Sequence, residues 1–328
     1  MAIKSMKVLN IMAFHQKELD LQFGDGINIL IGENGMGKTT LLKMIYAALQ
    51  YSIENQTSGK ELIHFFSNNL RDFSQMKYPG KEKDTCYYEI SDGQHFFKDY
   101  LTKKNGIVSE GWKGLNIQSV FIPTTEMLSH SKGFLAMNQK YNMPFDETQI
   151  DIIVNASLPE TKKVSQSCEI ILKEISDVIN GKVVQEDDTF YIVKNDGRKI
   201  DFSLEAEGMR KLGLLWKLIR NGLLEKDSVL LWDEPEANLN PELYPLVANI
   251  LLALQKNGVQ IFLATHSYNF AKYLEIRRTE KEQVLIHNLY RNDSGKEIMS
   301  VSAYKMEDLE PNHIMMADNQ LLDEVYNM

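Results

Sequence analysis

Three short segments of the chain place chemistry-bearing residue types at defined spacing. Gly32-Glu33-Asn34-Gly35-Met36-Gly37-Lys38-Thr39, continued by Thr40, fits the pattern G-x-x-x-x-G-K-[ST] with an additional glycine inside it. Glycines let the backbone fold so that successive N–H groups point inward at phosphate oxygens. A helix beginning at Lys38 would present its positive end to the same anion. Lys38 adds a point charge for the β and γ phosphates, and the Thr39 hydroxyl is a ligand for Mg²⁺. At ordinary residue frequencies such a match arises by chance in about one chain of this length per hundred.

The second segment, Val229-Leu230-Leu231-Trp232-Asp233-Glu234, is an apolar strand ending in two acids. Acids at the carboxyl end of an inner parallel strand sit in the crevice where ligands bind. Asp233 is therefore expected to hold the metal and Glu234 to polarise an attacking water. The third segment, Ile261 to Ala264 followed by Thr265-His266-Ser267, is again a strand running into polar residues. A lone histidine in such a place is more often structural. Beside the acids, His266 reads as a γ-phosphate contact.

These residues need a frame. Apolar residues at Leu19, Leu21, Phe23, Ile27, Ile29, Leu30 and Ile31 read as two strands, and Gly32 leads into a helix holding Leu41, Leu42, Met44, Ile45, Ala48 and Leu49. Residues 51–122 are less regular. Turn signals at Pro79-Gly80, Ser91-Asp92-Gly93 and Asn105-Gly106 separate strand-like pieces such as Cys86 to Ile90 and His95 to Tyr100. A strand at Val120 to Ile122 precedes a helical stretch over 123–180, then a hairpin over 182–202 turning at Asn195 to Arg198. Helices are expected from about Gly208 to Leu224 and from Pro241 to Leu254. Strand and helix alternating at both ends of the chain imply an α/β fold with a parallel, helix-covered sheet.

Lys38 and Asp233 must meet around one metal ion although 195 residues separate them. The 328 residues therefore read as one domain, its core formed by 1–50 and 200–290. The insert, 51–200, divides into a β-rich part (51–122), a helical part (123–180) and the hairpin (182–202).

Composition bounds the rest. The chain is 43% hydrophobic, with 36 Lys+Arg against 45 Asp+Glu and a formal charge of -9. That is an ordinary globular profile, and its acidity argues against a protein that mainly coats nucleic acid. Residues 301–328 carry -5 of the -9, leaving a nearly balanced body on which a local nucleic-acid groove remains open. Cys86 and Cys168 form no Cys-x-x-Cys and read as reduced, buried thiols. With no secretory signal at the N-terminus and no apolar run near the roughly 18 residues of a membrane span, a cytoplasmic chain without membrane contact is expected.

The three segments, in this order, resemble an ATP-binding-cassette ATPase of the soluble branch that includes RecF, the chromosome-maintenance (SMC) ATPases and the overcoming-lysogenization-defect (OLD) nucleases. The resemblance rests on Asn34 and Gly35 in the P-loop, on Asp233-Glu234-Pro235, on Ala237-Asn238-Leu239-Asn240 at the D-loop position, and on His266 as switch histidine. It implies an ABC-type nucleotide-binding domain with an antiparallel β lobe and a helical insert. It also implies ATP and Mg²⁺ as cofactors, with a head-to-tail homodimer that sandwiches two nucleotides. Residues 32–40 would then bind nucleotide, joined by Ala206, Gly208, Arg210 and Asn238 from the signature and D-loop segments. Thr39 and Asp233 would hold the metal, while Glu234 and His266 act in hydrolysis.

The chain departs from the family at two places. The signature segment, Glu205-Ala206-Glu207-Gly208-Met209-Arg210-Lys211, has Ala206 where the family offers a serine, and Glu207 repels phosphate unless it turns away. Where a Q-loop glutamine normally follows the strand at 120–122, Pro123-Thr124-Thr125-Glu126 stands instead, with Glu126 or a threonine as candidates for the metal's water shell. OLD nucleases carry a nuclease domain after the switch histidine, whereas 62 residues follow His266 here. The expectation is an ATPase controlling a separately encoded nuclease or toxin in anti-phage defence. The alternatives are a RecF-type DNA-repair or DNA-end-sensing ATPase and, less favoured, a transporter ATPase. The apolar residues Ile314, Met315, Leu321, Leu322, Val325 and Tyr326 suit a C-terminal helix that either packs on its own domain or docks a partner.

Overall fold

A computed structural model describes residues 2–15, 17–53, 62–67, 69–70, 73–78, 80, 85–101, 106–141, 143–293 and 295–327. The first half runs β1 (Ser5–Leu9), β2 (Leu19–Gln22), β3 (Ile27–Gly32), α1 (Lys38–Tyr51), β4 (Tyr87–Ser91), β5 (Phe96–Tyr100), β6 (Gly106–Glu110), β7 (Ser119–Ile122), α2 (Phe134–Tyr141), α3 (Glu147–Ser157) and α4 (Gln166–Ile179). The second half runs β8 (Gly181–Glu186), β9 (Thr189–Lys194), β10 (Lys199–Asp201), α5 (Glu207–Arg220), β11 (Val229–Asp233), α6 (Tyr244–Lys256), β12 (Gln260–Ala264), α7 (Tyr268–Arg277), β13 (Val284–Arg291), β14 (Ile298–Ala303) and α8 (His313–Tyr326).

The central sheet has the order β14-β13-β3-β12-β11-β7. Its inner strands pair in parallel, and β14 closes one edge antiparallel to β13. Every residue of β3, β7, β11 and β12 is buried, as expected of parallel strands covered on both faces. Successive side chains divide between two cores. Ile29, Trp232 and Leu263 face a core built with α3 to α7, while Leu30, Leu231 and Phe262 face α1 and a second sheet. That second sheet is antiparallel with the order β2-β1-β4-β5-β6, so α1 is enclosed between two sheets.

The structure redraws several sequence-based boundaries. Residues 119–122, assigned to the β-rich insert, pair as β7 with β11 and complete the central sheet. Strand β14 extends that sheet past residue 290. The pieces β4 and β5 form a lobe with β1 rather than a separate insert, because the apolar faces of Tyr88 and Phe97 close over the same core as Val8. The expected hairpin at 182–202 is a three-stranded meander, β8-β9-β10, and Phe202 turns into the core beyond it. The turn residues Pro79 and Asn105 lie outside the described residues. Helix α8 forms as expected. Ile314 in its first turn packs against the domain, whereas Leu321, Leu322, Val325 and Tyr326 are exposed. Among the described residues no helix is long and apolar enough to cross a membrane.

Candidate functional site

Parallel register brings the three segments together. Asp233 at the end of β11 is in register with Ala264 on β12, and Ala264 with Leu30 on β3. The loops leaving these strands therefore open at one edge of the sheet, which is where an open α/β sheet places its ligand.

In the loop from β3 to α1, Gly35 and Gly37 adopt φ of 78° and 81°, the left-handed region that side chains disfavour. At Gly37 a Cβ would also stand 2.5 Å from the Phe14 ring, so glycine is required twice over. No side chain caps the start of α1, which leaves its first N–H groups to the loop cavity. Glu33, Asn34 and Gly35 are exposed at the loop rim, Met36 is buried beneath it, and Thr40 touches Met12. The Lys38 ammonium lies against the carbonyls of Gly32 (2.6 Å) and Glu33 (3.0 Å). Burial pulls it down to about 8, against the opposing pull of Glu234, Asp233 and Glu236.

Asp233 receives the Thr39 hydroxyl on both carboxylate oxygens, at 3.0 and 2.9 Å, and the Thr124 hydroxyl at 3.0 Å. Burial raises its pKa, partly offset by the two threonine hydrogen bonds. A buried carboxylate ringed by hydroxyls is a donor set for a hard divalent cation, so the residues fit Mg²⁺. Of the Q-loop candidates it is Thr124 that reaches this cluster. Glu126 turns away, accepting from the Leu128 and Ser129 N–H groups and pairing with Arg210 at 3.2 Å.

His266 stands between the lysine and the second acid. Its Nδ1 lies 3.2 Å from Lys38 Nζ and its Nε2 3.2 Å from Glu234 Oε1. An ammonium only donates, so Nδ1 is the acceptor and the ring proton sits on Nε2, directed at Glu234. Glu234 has φ of 48°, a strained value for a non-glycine residue, held by its N–H on Ala264 O.

The signature and D-loop residues form a separate group. Ala206 is the N-cap of α5 and makes no side-chain cap. Glu207 does turn aside, accepting from Asn238 Nδ2 at 2.8 Å, and Gly208 packs against Leu239. Arg210, expected at a partner's phosphate, is engaged by Glu126 within its own chain. Lys211 donates to the carbonyls of Glu234 and Ala237, and burial lowers its pKa. Nothing in the local pattern marks Glu236, because its partners Thr265 and His266 follow a different strand, β12.

Residues 132–271 match the family described as "AAA domain, putative AbiEii toxin, Type IV TA system"; the matched stretch holds α5, the two acids and His266. The DNA replication and repair protein RecF of Streptococcus uberis is 28% identical over 262 residues, covering 78% of this chain and 67% of that protein. RecF of Clostridium kluyveri is 32% identical over 122 residues, 37% of this chain and 28% of the relative. The chain thus aligns with about a quarter to two thirds of the length of these relatives. Among solved structures, the SMC head domain from Thermotoga maritima superposes with a TM-score of 0.54 at 15% identity, covering 92% of this chain and 99% of that one. The SMC head bound to the C-winged helix domain of ScpA gives 0.57 at 13%, covering 92% and 98%. These structural neighbours show the fold: mixed α/β, as in the SMC head domains. Relatives by sequence include RecF proteins and, over 65 residues at 37% identity (20% of this chain and 27% of that protein), the arginine transport ATP-binding protein ArtP of Haemophilus influenzae; SMC heads are similar in structure.

Proposed function

We propose that this chain binds and hydrolyses ATP, working as a head-to-tail homodimer in which the loop at 32–40 of one copy faces the start of α5 in the other. The observation that carries the reading is the cluster of Lys38, Thr39, Thr124, Asp233, Glu234 and His266, drawn from four elements into two adjoining sets of contacts, Lys38–His266–Glu234 and Thr39–Asp233–Thr124. Backbone N–H groups of the loop and Lys38 neutralise the phosphates. Thr39 and Asp233 would hold Mg²⁺, with the Thr124 hydroxyl on the same carboxylate; when bound, the ion would neutralise developing charge on the phosphates. Glu234 takes a proton from the attacking water, and His266, with its single ring proton on Nε2, holds Glu234 in the free chain and shares that donor with the γ-phosphate when nucleotide is bound. Replacing Glu234 by Gln keeps its shape and removes the base. The variant should accumulate an ATP-bound dimer by light scattering. A monomeric variant that hydrolyses ATP at the wild-type rate overturns the reading.

The cycle acts on another component. One reading is control of a separately encoded nuclease or toxin in anti-phage defence; what favours it is the toxin–antitoxin system named in the matched family's description. A second reading, DNA-end sensing or repair, is supported by similarity to RecF over 78% of the chain. DNA binding that strengthens with ATP and falls steeply with salt selects the second reading. ATP-dependent release of a co-expressed effector, with no effect of DNA, selects the first.

A further inference from the structure

The third acid of the Asp233-Glu234-Pro235-Glu236 run has no role in the reading above, yet it is hydrogen-bonded to the segment that carries His266. Glu236 Oε1 accepts from the Thr265 hydroxyl at 2.6 Å and from the His266 backbone N–H at 3.1 Å. Thr265 is fully buried, and its backbone N–H is taken by Leu30 O on the strand that carries the phosphate loop. The same hydroxyl accepts from the Ser267 N–H, and Ser267 in turn caps α7. The turn carrying Glu236 is fixed from the other side by Lys211 on the carbonyls of Glu234 and Ala237. One carboxylate oxygen thus joins the turn after β11 to the residue whose ring spans Lys38 and Glu234 at 3.2 Å each.

We infer that Glu236 is a positioning residue: it sets the height and direction of the His266 ring by holding the His266 backbone and the Thr265 side chain, without touching the nucleotide itself. The inference rests on the assignment of Glu234 and His266 to hydrolysis. A histidine leaving the end of a strand has free backbone and χ rotations, and a ring displaced by about 1 Å loses one of its two contacts. Glu236 removes that freedom by a charge-assisted pair of hydrogen bonds in a half-buried site. Its other oxygen, Oε2, is buried without a hydrogen-bond partner, so Oε1 alone makes these bonds.

The test uses the full chain, with steady-state phosphate release for kcat and KM and a fluorescent ATP analogue for binding. Glu236→Ala should lower kcat about 10- to 100-fold, the range for removal of an orienting partner, while the ATP analogue's Kd changes less than about threefold. Thr265→Val should lower kcat about tenfold. The double variant should be no worse than Glu236→Ala, because both changes break the same bond. Glu236→Gln and Thr265→Ser, which keep the acceptor and the donor, should stay within about fivefold of wild type. Glu236→Ala at the wild-type rate beside an inactive His266→Ala removes the inference and leaves the hydrolysis reading intact, and so does a double variant whose losses multiply. His266→Ala with wild-type hydrolysis removes the reading beneath it. Should Glu236→Ala not fold, Thr265→Val and Glu236→Gln carry the same decision.

Discussion

The starts of α1 and α5 are built from the same parts and differ in what they leave open. Each begins without a side-chain cap, after Gly37 and after Ala206. Helices α3, α4, α7 and α8, by contrast, are capped by Asp146, Ser165, Ser267 and Asn312. Helices α1 and α5 each carry a buried lysine whose pKa is lowered by desolvation, Lys38 and Lys211, and each lysine donates to loop carbonyls. The first turn of α1 has no acid, whereas α5 has Glu207, tied to Asn238. A positive helix end with a lysine and no acid is an anion site within a single chain. A helix end with an acid beside it attracts phosphate weakly, so in the proposed dimer α5 would meet a nucleotide already held by another copy.

The comparison breaks first at Lys38. Lys38→Met should lower ATP hydrolysis by roughly 10² to 10³ or more, as loss of a main charge-stabilising group does, and abolish analogue binding. Retained hydrolysis would mean that the α1 end is no more an anion site than α5. Lys211→Met is the matched change. It leaves the Glu234 and Ala237 carbonyls without their donor, so unfolding titrations should show a loss of about 1–3 kcal/mol, while analogue binding to the α1 end is kept.

The shifted pKa gives a third separation. Lys38 holds about 8 in the folded chain against an ordinary 10.5, so between those values the unfolded chain binds more protons. Stability from this group therefore grows as pH rises from 8 to 10.5 and is lost as pH falls back through that window. Relative to Lys38→Met, the nucleotide-free wild type should gain about 1 kcal/mol per unit across it, as followed by urea midpoints. The smallest effect is expected at the α5 end. Ala206→Ser supplies the missing cap and should add about 1 kcal/mol to stability. No change there would show that water already serves these N–H groups as well as a hydroxyl does.

Much of this arrangement was legible from local pattern. The loop at 32–39, the strand before it and α1 are encoded within 25 consecutive residues, because a phosphate loop needs glycines, a lysine and a hydroxyl at fixed steps along one backbone. Apolar runs ending in Asp233-Glu234 and Thr265-His266 marked β11 and β12 for the same local reason. Strand neighbours were not legible. Residues 119–122 read as part of an insert because four apolar residues look alike at the edge of a parallel sheet and in an antiparallel lobe. Glu126 and Thr124 were equal candidates by position, and only the path of the chain after β7 put the Thr124 hydroxyl on Asp233 and turned Glu126 to Arg210.

The residue types at 32–39, 233–234 and 266 by themselves pointed to groups suited to phosphate, a divalent cation and proton transfer, since each such set lies within a few adjacent residues. Which groups act together was decided by tertiary structure. Thr39 meets Asp233, Lys38 meets His266, and Glu236 meets Thr265 through register between strands far apart in the chain. Hydrogen bonds of about 3 Å are set by that register and by the strained turn at Glu234, neither of which any local pattern of residues encodes.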